Sequence, residues 1–171
     1  TLFKEFDEVS GYACYRVVKA AKEGMVLLKN EESILPLAKG GKAALFGKAS
    51  FDYVKGGGGS GDVTVSYIRN LYEGLKEKSD VLTVFEELSD FYRENVREQY
   101  ASGSIPGLTK EPEIPETLLK KARAFTDTAI IAISRFSGEG WDRSVESSGR
   151  KLEHVEDKNL YEAAQKVFER G

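Results

Sequence analysis

Apolar and small side chains recur at helical spacing through residues 11–22 (Ala13, Val17, Val18, Ala21), with Ser10 placed to cap them. That spacing predicts an amphipathic helix, and Gly24 stops it. MVLLKN at 25–30 is a short apolar run, and the Asn-Glu-Glu-Ser that begins at its last residue predicts a loop. ILPL then leads to AALFG (43–47), a compact apolar run closed by glycine, which predicts a buried strand. Helical spacing returns over 65–78, where Tyr67, Ile68, Leu71, Tyr72 and Leu75 share one face and Thr64 or Asp62 can cap the start. A further helix is predicted over 85–100, through Leu88, Phe91, Tyr92 and Val96. Residues 101–115 are rich in Gly, Ser and Pro and predict a surface loop, after which Pro115 opens a helix at its first position. TAIIAIS (128–134) predicts the strongest strand of the chain, 135–154 a long polar loop, and 159–171 a final helix ending on Gly171.

Strands alternating with helices imply an α/β fold, a layered α/β sandwich with a mostly parallel sheet and right-handed crossovers. We find no internal repeat. A final helix with no strand after it is odd in such a fold. We therefore expect that residues 1–171 form a sandwich domain, partial or complete, and either that the chain ends before the domain does or that more protein follows.

Composition narrows the function classes. A chain of 171 residues, 40% apolar and 31% charged, can bury a hydrophobic core without a disulfide or metal staple. A net charge of −3 and the lack of any basic run give no general attraction to nucleic acid or to an anionic membrane. No apolar run approaches the ~20 residues of a membrane span. The lead-in TLFKEFDEVSG lacks the apolar stretch of a signal peptide, and the single Cys14 cannot form an internal disulfide, so a cytoplasmic location is expected. One histidine and one cysteine argue against a zinc site, and no metal or organic cofactor is expected. Cys14 with His154 is a formal nucleophile pair that nothing in the pattern activates. Glu31–Glu32 reads as a solvated turn and Glu86–Glu87 as a solvated helix face, because adjacent side chains do not converge. Oligomeric state stays open, a homo-oligomer included.

The stretch KGGGGSGDV (55–63) carries the first candidate chemistry. As a flexible spacer it is too short, and structured patterns flank it tightly. It also contains G-x-G-x-x-G (Gly56, Gly58, Gly61), the dinucleotide fingerprint, but KASFDYVK separates it from the strand end where that motif should begin. No Lys-Ser or Lys-Thr follows, which excludes a P-loop. An ordinary turn at the top of a strand is the bland reading. Position offers another, since ligands of open α/β sheets sit outside the carboxyl ends of the strands. If the 43–47 and 128–134 strands are parallel, the glycine stretch and the SGEGWDR loop leave the same sheet edge. The first offers bare backbone and the Ser60 hydroxyl. The second offers a carboxylate between glycines (Glu139), an indole (Trp141) and an acid–base pair (Asp142, Arg143). Hydroxyl, aromatic face and carboxylate suit a sugar. Asp142 and Arg143 read first as an ion pair that props up the loop, and Arg135 as structural.

Taken together, AAKEGMVLLKNEESILPL (20–37), AALFGKAS with KGGGGSGDV (43–50, 55–63) and TAIIAISRFSGEGWDRS (128–144) resemble the α/β sandwich domain of glycoside hydrolase family 3 β-glucosidases. The segments occur in the family's order and cover most of the chain from about residue 13 to 144. The resemblance implies a retaining β-glucosidase acting on a β-glucoside or cello-oligosaccharide. It implies that Glu139 is the general acid/base and that Ser60, beside Gly59, reaches the sugar next to the scissile bond. Trp141 then either faces a sugar at the leaving-group side or shields the loop by packing, and Arg143 and Asp142 support it. The nucleophile, an aspartate on a (β/α)8 barrel domain, has no counterpart in this chain, so the resemblance implies half of an active site, inactive without the barrel. Residues 1–12 read as a lead-in more than an interdomain linker, which favours this domain preceding the barrel. The segment from Val84 to Pro112 reads as an insertion with no functional account. Two other classes remain open on the residues alone: a sugar- or nucleotide-binding α/β module without chemistry, and a catalytically silent interaction domain.

Overall fold

The computed structural model describes residues 15–56, 59 and 63–134. The chain divides into two compact units, Thr1–Leu37 and Ala38–Gly171. In the first unit a helix, α1, occupies residues 15–23 and closes with the Gly24 amide donating to the Ala20 carbonyl at 2.9 Å. Residues 25–30 carry no regular structure, and the expected loop is a single 3-10 turn, Glu31–Ser33. The Asn30 side chain brackets that turn, accepting from the Leu35 amide at 2.9 Å and donating to the Leu35 carbonyl at 2.8 Å.

The second unit is built on β1 (Gly41–Phe46), the middle strand of three among the described residues. Its partners are β2 (Leu82–Val84) and β3 (Ala129–Ile131), both parallel to it, in the order β2-β1-β3. Ala43, Ala44, Leu45 and Phe46 are fully buried, as an uninterrupted apolar run requires of a strand covered on both faces. The register sets Gly41 beside Leu82 and Ala44 beside Ala129. Between the strands run α2 (Leu71–Lys76), α3 (Glu86–Ala101) and α4 (Glu116–Phe125). α3 buries Leu88, Tyr92 and Val96, four residues apart, and α4 buries Leu118, Leu119 and Ala122 against the same core as Leu45 and Phe46. The mostly parallel α/β arrangement thus stands.

The strand expected over 128–134 spans only Ala129–Ile131, and the elements differ from the sequence reading at three further places. The helix expected over 65–78 spans only Leu71–Lys76, because Asn70, not Thr64 or Asp62, caps it. Asn70 Oδ1 accepts from the Glu73 amide at 2.8 Å, while the Glu73 carboxylate accepts from the Asn70 amide at 3.1 Å, a reciprocal capping box. Tyr67 and Ile68, whose spacing suggested the longer helix, are exposed on irregular backbone. Pro115 is the cap residue of α4 and not its first helical position, since its ψ of 136° is extended. Strand β2 was not expected; three residues with one exposed threonine are too few for a periodic signal.

The carboxyl ends of β1 and β3 touch at Gly47. The Ala132 amide donates to the Phe46 carbonyl at 2.9 Å, and a Cβ on Gly47 would stand 2.2 Å from the Ala132 carbonyl oxygen. Gly47 also has φ +95°, a conformation L side chains rarely adopt. Gly47→Ala is therefore expected to cost roughly 3 kcal/mol or more, combining backbone strain with a clash that main chain cannot yield to. Chemical denaturation checks this, and a wild-type midpoint would contradict it. Asn70→Ala should cost about 0.5–2 kcal/mol in the same assay, through loss of the α2 cap.

Candidate active site

Parallel pairing of β1 and β3 sends the segments after both strands to one edge of the sheet. From Gly47 the chain turns through a 3-10 turn, Lys48–Ser50, whose buried Ser50 hydroxyl donates to the Phe46 carbonyl at 3.4 Å. Phe51 tucks its ring against Tyr72 and Tyr92, with centroids 5.3 and 6.0 Å away. The turn is thereby seated on the core before the glycine stretch begins.

Asp52 follows, 1% exposed, and its carboxylate is saturated by donors from one distant segment. It accepts from the Tyr100 hydroxyl at 2.5 Å, the Gly107 amide at 2.6 Å, the Thr109 hydroxyl at 2.5 Å and the Thr109 amide at 3.3 Å. Lys48 stands four residues earlier, with Nζ 3.8 Å from Asp52. The same ammonium donates to the carbonyls of Gly107, at 3.4 Å, and Thr109. Both main-chain groups of Gly107 and of Thr109 are thus held by this one charged pair. The Lys48 amide adds a bond to the Glu111 carboxylate at 3.0 Å. Gly107 takes φ +86° to present its amide inward.

The gripped segment is itself tied to the end of α3. Gln99 Nε2 donates to the Lys110 carbonyl at 2.9 Å and Gln99 Oε1 accepts from the Lys110 amide at 2.7 Å, while the Ser104 amide donates to the Gln99 carbonyl. Residues 102–115 form the expected surface loop, largely exposed, but Thr109 within it is buried. The insertion that had no functional account supplies the partner that anchors the start of the glycine stretch. Sequence reasoning missed Lys48, Asp52, Tyr100, Gly107 and Thr109. The spacing of Lys48 and Asp52 just after a buried strand was the available signal.

Burial pushes the Asp52 carboxyl up. The Gly107 amide, the Thr109 and Tyr100 hydroxyls and the Lys48 charge outweigh it, so its pKa lies below the ordinary carboxylate value. Asp52 is therefore an anion at neutral pH with its lone pairs engaged, and it cannot serve as a proton donor. Burial and the Asp52 charge push the Tyr100 phenol up in turn, so it stays protonated and donating. The Tyr92 hydroxyl finds no hydrogen-bond partner of good geometry among the described residues. It lies beside the Gly47 backbone and Glu111, and burial with the Glu111 charge raises its pKa well above normal.

Beyond Asp52, Lys55 Nζ donates to the Val63 carbonyl at 2.5 Å and ties the two sides of the glycine stretch together. Gly59 is exposed at φ +79°. Ser60, Glu139, Trp141, Asp142 and Arg143 lie outside the described residues, as do Arg135, Cys14, His154 and the helix expected over 159–171. The described chain ends at Ser134, five positions (139 − 134) before Glu139. Glu86 and Glu87 turn to different partners, Glu86 to Tyr72 and Lys76 and Glu87 to Lys121, and form no dyad. Among the described residues, no cluster of three or more His, Cys, Asp or Glu side chains could hold a metal, and no helix is long and apolar enough to cross a membrane.

Residues 25–169 match the family model described as the glycosyl hydrolase family 3 C-terminal domain. Beta-glucosidase A of Butyrivibrio fibrisolvens is 56% identical over 153 residues, covering 90% of this chain and 18% of that protein. A beta-glucosidase of Ruminococcus albus is 35% identical over 136 residues, covering 76% of this chain and 14% of that protein. Among solved structures, beta-glucosidase 3B from Thermotoga neapolitana in complex with alpha-D-glucose superposes with a TM-score of 0.70 at 34% identity. That match covers 89% of this chain and 22% of the other. The chain thus spans about a fifth of the length of the relatives it matches.

Proposed function

The chain belongs to the glycosyl hydrolase family 3 C-terminal domains, and we propose that it supplies the general acid/base, Glu139, and a sugar contact, Ser60, to a retaining β-glucosidase. The nucleophile, on this reading, is an aspartate on a (β/α)8 barrel of the same protein, and the chain alone is inactive. The observation that carries the proposal is the parallel pairing of β1 and β3, with their carboxyl ends in backbone contact at Gly47 and Ala132. In the sequence, the glycine stretch follows β1 and the SGEGWDR segment follows β3.

In the first step Glu139, protonated, donates to the glycosidic oxygen as the bond to the anomeric carbon breaks and the barrel carboxylate takes that carbon. In the second, the Glu139 carboxylate takes a proton from water as the water oxygen bonds to the anomeric carbon and the bond from that carbon to the barrel carboxylate breaks, which releases the sugar and restores both carboxyl groups. Retention requires the two carboxyl groups to stand about 5–5.5 Å apart. Glu139 must hold a proton near neutral pH, so its pKa has to be raised, and the barrel supplies what this requires: cover from solvent and a second negative charge. Glycines stand on either side of Glu139 in the sequence, at Gly138 and Gly140, and glycine admits backbone conformations that other residues do not. Ser60 and the backbone around Gly59 offer hydrogen bonds to sugar hydroxyls, and Trp141 a face for the leaving-group side.

In the full-length enzyme, Glu139→Ala should lower cellobiose hydrolysis by about 10²–10⁴-fold, with a much smaller loss on activated aryl β-glucosides, whose leaving groups need no proton. Azide should restore turnover of the aryl substrate and yield a glucosyl azide. Wild-type activity of the variant on cellobiose would refute the assignment.

A further inference from the structure

The Lys48–Asp52 clamp invites a role beyond holding the fold together. Burying two charges is a poor way to gain stability, because desolvation consumes much of the Coulombic return and apolar replacements often serve equally well. Directed hydrogen bonds do give position. Here an anion and a cation four residues apart grip the amides and carbonyls of the same two residues, Gly107 and Thr109. A shift of one residue, or a small rotation of either strand of chain, would break the set together. The clamp also sits between the fixed end of β1 at Gly47 and the glycine stretch that starts at Gly56. What it fixes is the backbone of residues 48–52 that leads into that stretch.

We propose that Asp52, through its bonds to Tyr100, Gly107 and Thr109, is a positioning residue for sugar binding, and that residues 100–111 thereby set the enzyme's affinity for its glucoside without touching it. The inference rests on the reading of the glycine stretch as a sugar contact. A contact made equally in the ground state and in the transition state appears in KM and leaves kcat unchanged. A clamp that merely stabilised the fold would reduce the folded fraction and so lower apparent kcat at constant KM.

The test uses the full-length enzyme with Tyr100→Phe and Thr109→Val, each removing one hydroxyl donor to Asp52, and with Asp52→Asn. Circular dichroism and thermal denaturation establish which variants are folded. Tyr100→Phe and Thr109→Val are the gentler changes and keep the test open if Asp52→Asn does not fold. For the folded variants, KM on cellobiose should rise about fivefold or more while kcat stays within about threefold of wild type. Any other pattern, KM within twofold or a loss confined to kcat, overturns the inference. If the wild-type enzyme proves inactive on β-glucosides, or Glu139→Ala leaves cellobiose hydrolysis intact, the reading of the site falls and the inference with it. An active wild type whose KM ignores the clamp sinks the inference alone.

Discussion

The structure depends on the meeting of two backbones at the carboxyl edge of the sheet. Gly47 approaches Ala132 so closely that no side chain fits between them, and the Phe46–Ala132 hydrogen bond continues the parallel ladder one step past β3. Parallel pairing requires long crossovers, and these are where the helices lie. β1, buried on both faces, requires cover, and α3 and α4 contribute Leu88, Tyr92, Leu118 and Ala122 to the core around it. The same constraint starts the segments that follow β1 and β3 from one edge of the sheet. A sheet with β1 and β3 antiparallel would send them to opposite ends.

Two carboxylates then illustrate opposite electrostatic tasks. Asp52 is surrounded by amides, hydroxyls and an ammonium from this chain, and remains ionised in spite of its burial. It organises backbone and has no capacity left for proton transfer. The acid proposed at Glu139 needs the reverse, an environment that penalises the anion. On the proposed function the barrel supplies that environment; the chain itself spans about a fifth of its relatives' length.

Much of the scaffold was legible in the sequence because it rests on local pattern. β1 and β3 are apolar runs bounded by turn residues, and α3 and α4 carry their buried residues at helical spacing. Resemblance to a known family added the family itself, which the match over residues 25–169 shows. Three features were not legible. The capping box at Asn70 and Glu73 was present in the letters, but Tyr67 and Ile68 mimicked an earlier helical turn. β2 is too short to show a period. The clamp joins Lys48 and Asp52 to residues about fifty positions away, and no local pattern announces a contact of that range. Of the candidate site residues, Gly59 alone falls among those described, exposed and at positive φ.

On the proposed function, the edge defined by β1 and β3 delivers an acid to a sugar bound on another domain. A crystal structure of the full-length protein with an uncleaved β-glucoside or a close analogue measures this directly. The account predicts a Glu139 carboxyl oxygen within about 2.6–3.2 Å of the glycosidic oxygen. A glucoside seated in the barrel with Glu139 out of reach, and a different residue at that oxygen, would contradict it.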